Sequence, residues 1–260
     1  MISPDHPRTL ALLWLLLLPA VALSLAAVIV LVDANYSLFL RLNGIWWIGG
    51  EEVWSLFTVL GDTLTLLVIL MFFVGRRPDL IWPVMVALLV VSLFVHFGKL
   101  FFDVQRPTQV VHEAYINVIG FRASNESFPS GHTAAAFALA AAFCMLRFPL
   151  WVKIAVLTLA VLAGLSRIVV GVHWPLDVLA GAAIGWLGMG ISIKLASLMK
   201  WGYGNYVQCA FAVLLSLVSL YALLGFDGGY PQVRWFFIVL PLLAFYFSMS
   251  YMWRCARGKI

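Results

Sequence analysis

A short polar stretch, SRIVVGVHWPLD at residues 166–177, interrupts a chain that is otherwise very apolar. It carries Arg167, His173 and Asp177, whose side chains are suited to binding an anion, attacking an electrophile and orienting an imidazole. Asp177 follows His173 by four residues, and Pro175 between them is typical of the first turn of a helix. We therefore expect the carboxylate to reach one ring nitrogen of His173 and to leave the other nitrogen free to attack.

A second polar stretch, residues 99–132, carries the cations and small residues that an anion site requires. Pro107 disfavours a helical conformation at the preceding residue, so we expect Arg106 to leave the helix and turn toward the site. The segment PSGH at residues 129–132 opens an apolar run, and free backbone N–H groups at a helix start favour an anion. His132 is predicted to protonate a departing oxygen. The predicted cage for a tetrahedral oxyanion consists of Lys99, Arg106, Ser130, Gly131 and Arg167.

The elements that must position these side chains are membrane helices. Of the 260 residues, 64% are hydrophobic and 10% are charged, and the mean hydropathy is +1.03. Such values exclude an ordinary soluble domain and predict an all-α, polytopic membrane protein. A span needs about 20 residues. Eight apolar stretches come close to this length or exceed it, at about 10–32, 54–74, 80–101, 131–148, 151–172, 175–195, 206–225 and 235–253.

Basic residues predict the orientation of the chain. With the N-terminus inside, ten lie on the cytoplasmic side, namely Arg8, Arg76, Arg77, Arg147, Lys153, Lys194, Lys200, Arg254, Arg257 and Lys259. Six lie on the opposite side, namely Arg41, Lys99, Arg106, Arg122, Arg167 and Arg234. The positive-inside rule therefore predicts a protein of the inner or plasma membrane, with both termini cytoplasmic and the polar site at the extracytoplasmic surface.

Other classes of function fit the sequence less well. The net charge of +5 forms no clustered basic face, so no nucleic-acid partner is expected. His96, His132 and His173 lack the short paired spacing of a zinc site, and nearby cations would repel a metal. A transporter with a surface anion site stays open as an alternative, although transporter sites usually lie at the bilayer midplane.

Three motifs carry a resemblance to a known family. The patterns K-x6-R-P at residues 99–107, P-S-G-H at 129–132 and S-R-x5-H-x3-D at 166–177 resemble the signature motifs of the type-2 phosphatidic acid phosphatase family. The resemblance implies a six-helix phosphatase core, residues 1–200, and a reaction through a phosphohistidine without metal or other cofactor. Residues 201–260 would add two transmembrane helices to the same domain.

The roles of the residues follow from the resemblance by position. His173 would be the nucleophile, Asp177 its orienting carboxylate and His132 the general acid, while the five cage residues would hold the phosphate. Bacterial members of this kind include phosphatidylglycerophosphatase B and undecaprenyl-diphosphate phosphatases. We therefore expect hydrolysis of a membrane lipid phosphate, such as polyprenyl diphosphate, phosphatidylglycerol phosphate, phosphatidate or lipid A phosphate. A phosphotransferase that passes the group from a polyprenyl diphosphate to another lipid is the alternative, and no obligatory protein partner is expected.

Several polar or small residues outside the motifs have two interpretations. Asp62 in the second span is either functional or a hydrogen-bonded structural residue. His96 either lines the site or bonds a neighbouring carbonyl. Four glycines in the sixth span, Gly181, Gly185, Gly188 and Gly190, predict close packing of helices.

Overall fold

The structure, a computed structural model, describes residues 8–122 and 125–257, with side chains from residue 15 onward. Residues 1–7 and 258–260, which close the two predicted domain ranges, lie outside the described residues. The described chain contains helices, turns and loops and no strand. Its α-helices are α1 (Arg8–Leu31), α2 (Asn35–Asn43), α3 (Gly50–Leu60), α4 (Thr63–Met71), α5 (Pro78–Phe102), α6 (Pro107–Val110), α7 (Gly131–Met145), α8 (Leu150–Val169), α9 (Pro175–Leu198), α10 (Asn205–Leu224) and α11 (Phe236–Ala256).

The chain is a multi-pass, all-helical membrane protein. Five helical segments are long and apolar enough to cross a membrane, at Pro78–Val110, Leu150–Val169, Pro175–Leu198, Asn205–Leu224 and Pro231–Ala256. Two bent pairs bring the number to seven if each counts as one span, because α1 meets α2 at 109° and α3 meets α4 at 69°. The predicted stretch at 131–148 forms α7, an apolar helix of only 15 residues.

The predicted span at 54–74 is bent, because the helix breaks there between α3 and α4. Asp62 is the N-cap of α4, and its carboxylate Oδ1 accepts hydrogen bonds from the backbone N–H groups of Leu64 and Thr65 at 2.8 and 3.3 Å. Such a cap satisfies N–H groups that a helix start otherwise leaves unpaired. Gly61 lies against the backbone of His132, where an added Cβ would be 3.1 Å from the carbonyl oxygen. The break thus brings a carboxylate next to the start of α7.

Helix α9 packs closely against α7, α5 and α1 at its glycines, as the sequence predicts. Gly181 and Gly185 touch the backbone of α7 at Ser130 and Ala134, where a side chain would overlap main-chain atoms. Gly188 faces Val91 of α5, and Gly190 faces α1. Because small residues let helix backbones approach closely, α9 holds the start of α7 at a short and defined distance.

Helices α10 and α11 form a hairpin that packs against α4. Arg234 closes the hairpin by donating hydrogen bonds to the carbonyl oxygens of Ala222 and Leu223, at 3.1 and 2.6 Å, near the end of α10. The connecting loop reaches α3, where Gln232 Nε2 donates to Ser55 Oγ at 2.6 Å. These contacts support the proposal that residues 201–260 belong to the same domain as residues 1–200.

Candidate active site

The site lies where four helix ends meet. Helix α5 ends at Phe102 and α7 begins at Gly131, while α8 ends at Val169 and α9 begins at Pro175. Successive spans run in opposite directions, so these four ends come to the same side of the helix bundle. The described parts of the loop between α5 and α7, residues 103–122 and 125–130, contact these ends and are called the covering loop. The two polar stretches that the sequence singles out are therefore brought together.

His173 and Asp177 form a buried pair at the start of α9. His173 Nδ1 lies 3.2 Å from Asp177 Oδ2, and the two side chains are 3% and 2% exposed. The same carboxylate oxygen accepts hydrogen bonds from the backbone N–H of Trp174, at 2.8 Å, and from the hydroxyl of Ser127. The carboxylate thus reaches back to the imidazole as expected from the four-residue spacing. Ser127 was not among the predicted residues, because its role depends on a loop conformation that spacing does not reveal.

Arg106 determines which nitrogen of His173 is free of a proton. Its Nη1 lies 3.2 Å from His173 Nε2. A guanidinium has no acceptor, so Nε2 must be the acceptor and the ring proton must lie on Nδ1, facing Asp177. This tautomer leaves a lone pair on Nε2 for attack on an electrophile.

Arg106 leaves the helix as predicted, and its guanidinium is fully hydrogen-bonded. Helix α5 ends before it, and its own backbone is extended, with φ −76° and ψ 156°. Its side chain donates to the carbonyl oxygens of Asn125 (2.9 Å), Glu126 (3.3 Å) and Val172 (2.8 Å), and to Asn125 Oδ1 (2.8 Å). With the contact to His173, all five N–H groups of the guanidinium have acceptors.

The two other cations of the predicted cage differ from Arg106. Lys99, in the last turn of α5, is partly exposed and donates to the carbonyl oxygen of Glu126. Arg167, in the last turn of α8, is 6% exposed, and its Nη1 donates to Tyr230 Oη at 3.1 Å. The Nε of Arg167 is buried without a partner in the described chain. Arg167 therefore keeps donors available for an anion.

The PSGH segment forms the start of α7. Ser130 is the N-cap, and its Oγ accepts hydrogen bonds from the backbone N–H and the hydroxyl of Thr133, at 3.4 and 2.9 Å. Its own backbone N–H donates to the carbonyl oxygen of Asp177 at 3.0 Å. Gly131 and His132 follow in the first turn and line a groove. The segment therefore ties the start of α7 to that of α9.

His132 also faces a carboxylate. Its Nε2 lies 3.6 Å from Asp62 Oδ2, and the two side chains are 31% and 17% exposed. This separation is an ionic contact longer than a hydrogen bond. Asp62 thus has a structural role as the cap of α4 through one oxygen and a contact with the site through the other.

An apolar groove with a volume of about 300 Å³ leads away from His132. Helices α4, α5 and α7 line it with side chains that include Leu66, Leu70, Val91 and Ala135. Its polar end contains Lys99, His96 and His132. The groove is therefore apolar along most of its lining and reaches Lys99 and His132 of the site at one end.

The electrostatics of the site favour a neutral imidazole at His173. Burial lowers the pKa of His173 well below its ordinary value of 6.5, and the positive charges of Arg106 and Arg167 lower it further. His173 is accordingly neutral at pH 7. The described residues contain no group of three or more His, Cys, Asp and Glu side chains that could hold a metal ion.

The comparisons with known proteins agree with this geometry. The family model described as the PAP2 superfamily matches residues 80–200, which include all eight predicted site residues. The crystal structure of Aquifex aeolicus LpxE is 32% identical, with a TM-score of 0.56, over 62% of this chain and 94% of that chain. The chain belongs to the PAP2 superfamily.

Curated relatives of this PAP2 protein carry the names of phosphatases. A segment of 93 residues is 38% identical to the undecaprenyl-diphosphatase of Sulfolobus acidocaldarius and covers 35% of this chain and 43% of that one. A segment of 75 residues is 43% identical to the lipid A 1-phosphatase of Rhizobium etli and covers 28% of this chain and 32% of that one. The chain thus spans less than half the length of these curated relatives.

Other polar residues of this PAP2 protein form hydrogen bonds or ion pairs with protein groups. Ser166 is fully buried, donates to the carbonyl oxygen of Ala163 and accepts from Thr58 Oγ1. Glu113 and Arg122 form an exposed ion pair on the covering loop. Tyr230, which binds Arg167, lies beyond the part matched by the family model, so no motif pointed to it.

Proposed function

We propose that this protein is a lipid phosphate phosphatase that acts through a phosphohistidine at His173 and needs no metal. The observation that carries the proposal is the arrangement of His173, whose Nδ1 faces Asp177 while its Nε2 lone pair faces the guanidinium of Arg106. A phosphate held by Arg106 and Arg167 would present its phosphorus to that lone pair. The names of the relatives, undecaprenyl-diphosphatase and lipid A 1-phosphatase, support the same class of reaction.

The proposed reaction has two steps. In the first, His173 Nε2 forms a bond to phosphorus while the bond from phosphorus to the lipid oxygen breaks, and protonated His132 gives its proton to that oxygen. In the second, His132 takes a proton from water as the water oxygen attacks phosphorus. The P–N bond then breaks and inorganic phosphate leaves. The cations stabilise the charge on the phosphoryl oxygens in both steps.

The apolar groove supports a lipid as the substrate. Since it ends at His132, a hydrocarbon tail lying in it would bring the leaving oxygen to the proton donor. We propose a polyprenyl diphosphate or a phosphorylated glycolipid or glycerolipid, such as lipid A phosphate, phosphatidylglycerol phosphate or phosphatidate. The apolar lining does not distinguish one hydrocarbon chain from another.

We also propose that the protein lies in the inner or plasma membrane with both termini in the cytoplasm. The positive-inside rule supports this orientation, because most basic residues outside the site fall on the end of the bundle away from His173. The site would then face the extracytoplasmic side, where its lipid phosphate would be bound.

The first experiment is phosphate release by the purified protein in detergent with a chelator present. Wild type and His173→Ala are compared on polyprenyl diphosphate, phosphatidylglycerol phosphate, phosphatidate and lipid A. His112→Ala, at an exposed histidine of the covering loop, is the matched control. We expect release from at least one lipid, unchanged in the control and about 1,000-fold lower or more in His173→Ala.

The same assay distinguishes the alternatives. Release that persists in His173→Ala would contradict the nucleophile assignment. A requirement for a second lipid as acceptor, with a phosphorylated lipid as product, would replace hydrolysis by phosphotransfer. A failure to form either product, together with transport of phosphate across proteoliposomes, would favour the transporter.

A further inference from the structure

Tyr230 is the site residue that the C-terminal hairpin supplies. It lies in the loop between α10 and α11, whereas the match to the PAP2 superfamily ends at residue 200. Its hydroxyl accepts a hydrogen bond from Arg167 Nη1 at 3.1 Å, and its side chain is buried, with 3% exposed. This is the one hydrogen bond of the Arg167 guanidinium within the described residues. The orientation of Arg167 therefore depends on a residue outside the part that the family model matches.

The surroundings of Tyr230 fix the position of its hydroxyl. The ring lies directly on Gly120 of the covering loop, where a Cβ would overlap ring atoms. The backbone of the loop turns tightly, with the N–H of Tyr230 bonded to the carbonyl oxygen of Asp227 at 3.0 Å and the N–H of Gly229 bonded to Asp227 Oδ1 at 2.8 Å. The contact between Gln232 and Ser55 anchors the far side of the same loop.

The hydrogen-bond partner of Arg167 is a phenol and not a carboxylate, and this affects the charge available in the site. Among the described residues no carboxylate lies within ion-pair distance of Arg167, so its charge is not neutralised locally. A phenol orients the guanidinium through one hydrogen bond and leaves its positive charge available to a phosphate. A carboxylate in the same place would compete with the substrate for the cation.

We infer that Tyr230 is a positioning residue, which holds Arg167 in the orientation that binds the phosphoryl oxygens and so makes the C-terminal hairpin part of the active site. The inference rests on the proposed function, because it assigns to Arg167 a phosphate ligand. It also gives the two additional helices a purpose in the chemistry of the six-helix core.

The test removes only the hydroxyl. Tyr230→Phe keeps the ring on Gly120 and leaves one Nη1 donor of Arg167 without its acceptor. We expect kcat/KM for the preferred lipid to fall roughly ten- to hundredfold, which is the value of a hydrogen bond to a charged group. The KM should change less than kcat, since most of the lipid's contacts are apolar. Tyr221→Phe, at an exposed tyrosine of α10, is the matched control and should equal wild type.

A double-mutant cycle separates positioning from a general structural role. In the background of Arg167→Gln, Tyr230→Phe should cause no further loss, because the two residues act as one unit. Additive losses would overturn the inference, since they would mean that Tyr230 acts independently of Arg167. Activity of Tyr230→Phe equal to that of wild type would overturn it as well.

Binding of orthovanadate keeps this test independent of the lipid. Its affinity is measured by protection of the detergent-solubilised protein against thermal unfolding. Tyr230→Phe should bind about tenfold more weakly or worse than wild type. That result would support the inference even if wild type released phosphate from no lipid, an outcome that overturns only the proposed function. Equal vanadate affinity in the two proteins would overturn the inference even if the phosphatase activity is found.

Discussion

The two histidines of the site are both next to carboxylates, but they are held in different ways. His173 is almost fully buried, and Asp177, itself bonded to Trp174 and Ser127, lies 3.2 Å from it. His132 is about one third exposed at the end of the groove, and Asp62 is 3.6 Å away. The difference matches the proposed tasks, because a nucleophile needs one fixed direction whereas a proton donor must serve first a lipid oxygen and then a water.

Each of the two carboxylates also lies at the start of a different helix. Asp62 caps α4, and Asp177 lies in the first turn of α9 and accepts the backbone N–H of Trp174. Negative side chains are favourable there because of the unpaired N–H groups and the helix dipole. Each of the two histidines thus lies next to a carboxylate that also stabilises the start of a helix.

The largest effect in this comparison is expected from Asp177→Asn. An amide can place its NH2 group toward His173 Nδ1, which would favour the wrong tautomer and put the proton on the attacking nitrogen. We expect kcat to fall by about 10,000-fold with little change in the affinity for orthovanadate. A large loss of vanadate affinity with normal turnover would contradict the orienting role.

A smaller and qualitatively different effect is expected from His132→Gln. Total turnover of a lipid substrate should fall by about 100- to 10,000-fold, since the proton donor is lost. With p-nitrophenyl phosphate, whose leaving group needs no proton, the first step should survive. We therefore expect a burst of nitrophenolate and an acid-labile phosphoprotein that accumulates. Asp177→Asn should show no burst, and a burst in both variants would remove the distinction between the two histidines. His112→Gln, at an exposed histidine of the covering loop, is the control.

Asp62→Asn tests the weaker carboxylate contact. Asparagine is as good an N-cap as aspartate, so the break between α3 and α4 should persist. Only the charge facing His132 is lost, and we expect about a tenfold fall in lipid turnover, in line with an ionic contact between partly exposed groups. Unchanged activity would assign Asp62 a structural role only. Circular dichroism and thermal unfolding verify that the fold is retained.

The smallest expected effect is a shift in the pH dependence of kcat/KM. Because the pKa of His173 is lowered well below 6.5, the unprotonated imidazole persists as pH falls through 6.5. The acidic fall of kcat/KM due to this group should therefore lie below pH 6.5. In Arg106→Gln one of the cations that lower the pKa is removed, so the acidic limb should move to higher pH. The titration of the substrate phosphate is measured separately and is common to both proteins. An unchanged limb would contradict the electrostatic role of Arg106.

Much of the site could be predicted from sequence because its residues follow short local patterns. The four-residue spacing of His173 and Asp177 after a proline predicts their contact, and Pro107 predicts the departure of Arg106 from the helix. The glycines of α9 predict close packing of helices, and the structure shows such packing on α7. In each case the relevant geometry spans only a few residues, or a repeated helical period.

The rest depends on contacts between distant parts of the chain. Hydropathy over 54–74 is continuous, so it conceals the turn at Asp62, although an aspartate before a helical run is typical of an N-cap. Ser127 reaches Asp177 only because of the path of the covering loop. Tyr230 reaches Arg167 across 63 residues of sequence, and no local pattern encodes such a contact.

The fully occupied guanidinium of Arg106 has a consequence for substrate binding. Because each of its five donors already has an acceptor, a phosphate can bind Arg106 only by displacing one of them, and the acceptor nearest the reacting atoms is His173 Nε2. In the proposed mechanism, arrival of the phosphate would therefore free the Nε2 lone pair of His173, and departure of the product would return Nε2 to its hydrogen bond with Arg106. The exchange weakens the hold on phosphate at the same time, because each hydrogen bond from Arg106 to the ligand replaces one that the empty site makes for itself. Under this proposal, Arg106 would make the nucleophile available only when a phosphate is bound and would favour release of the product.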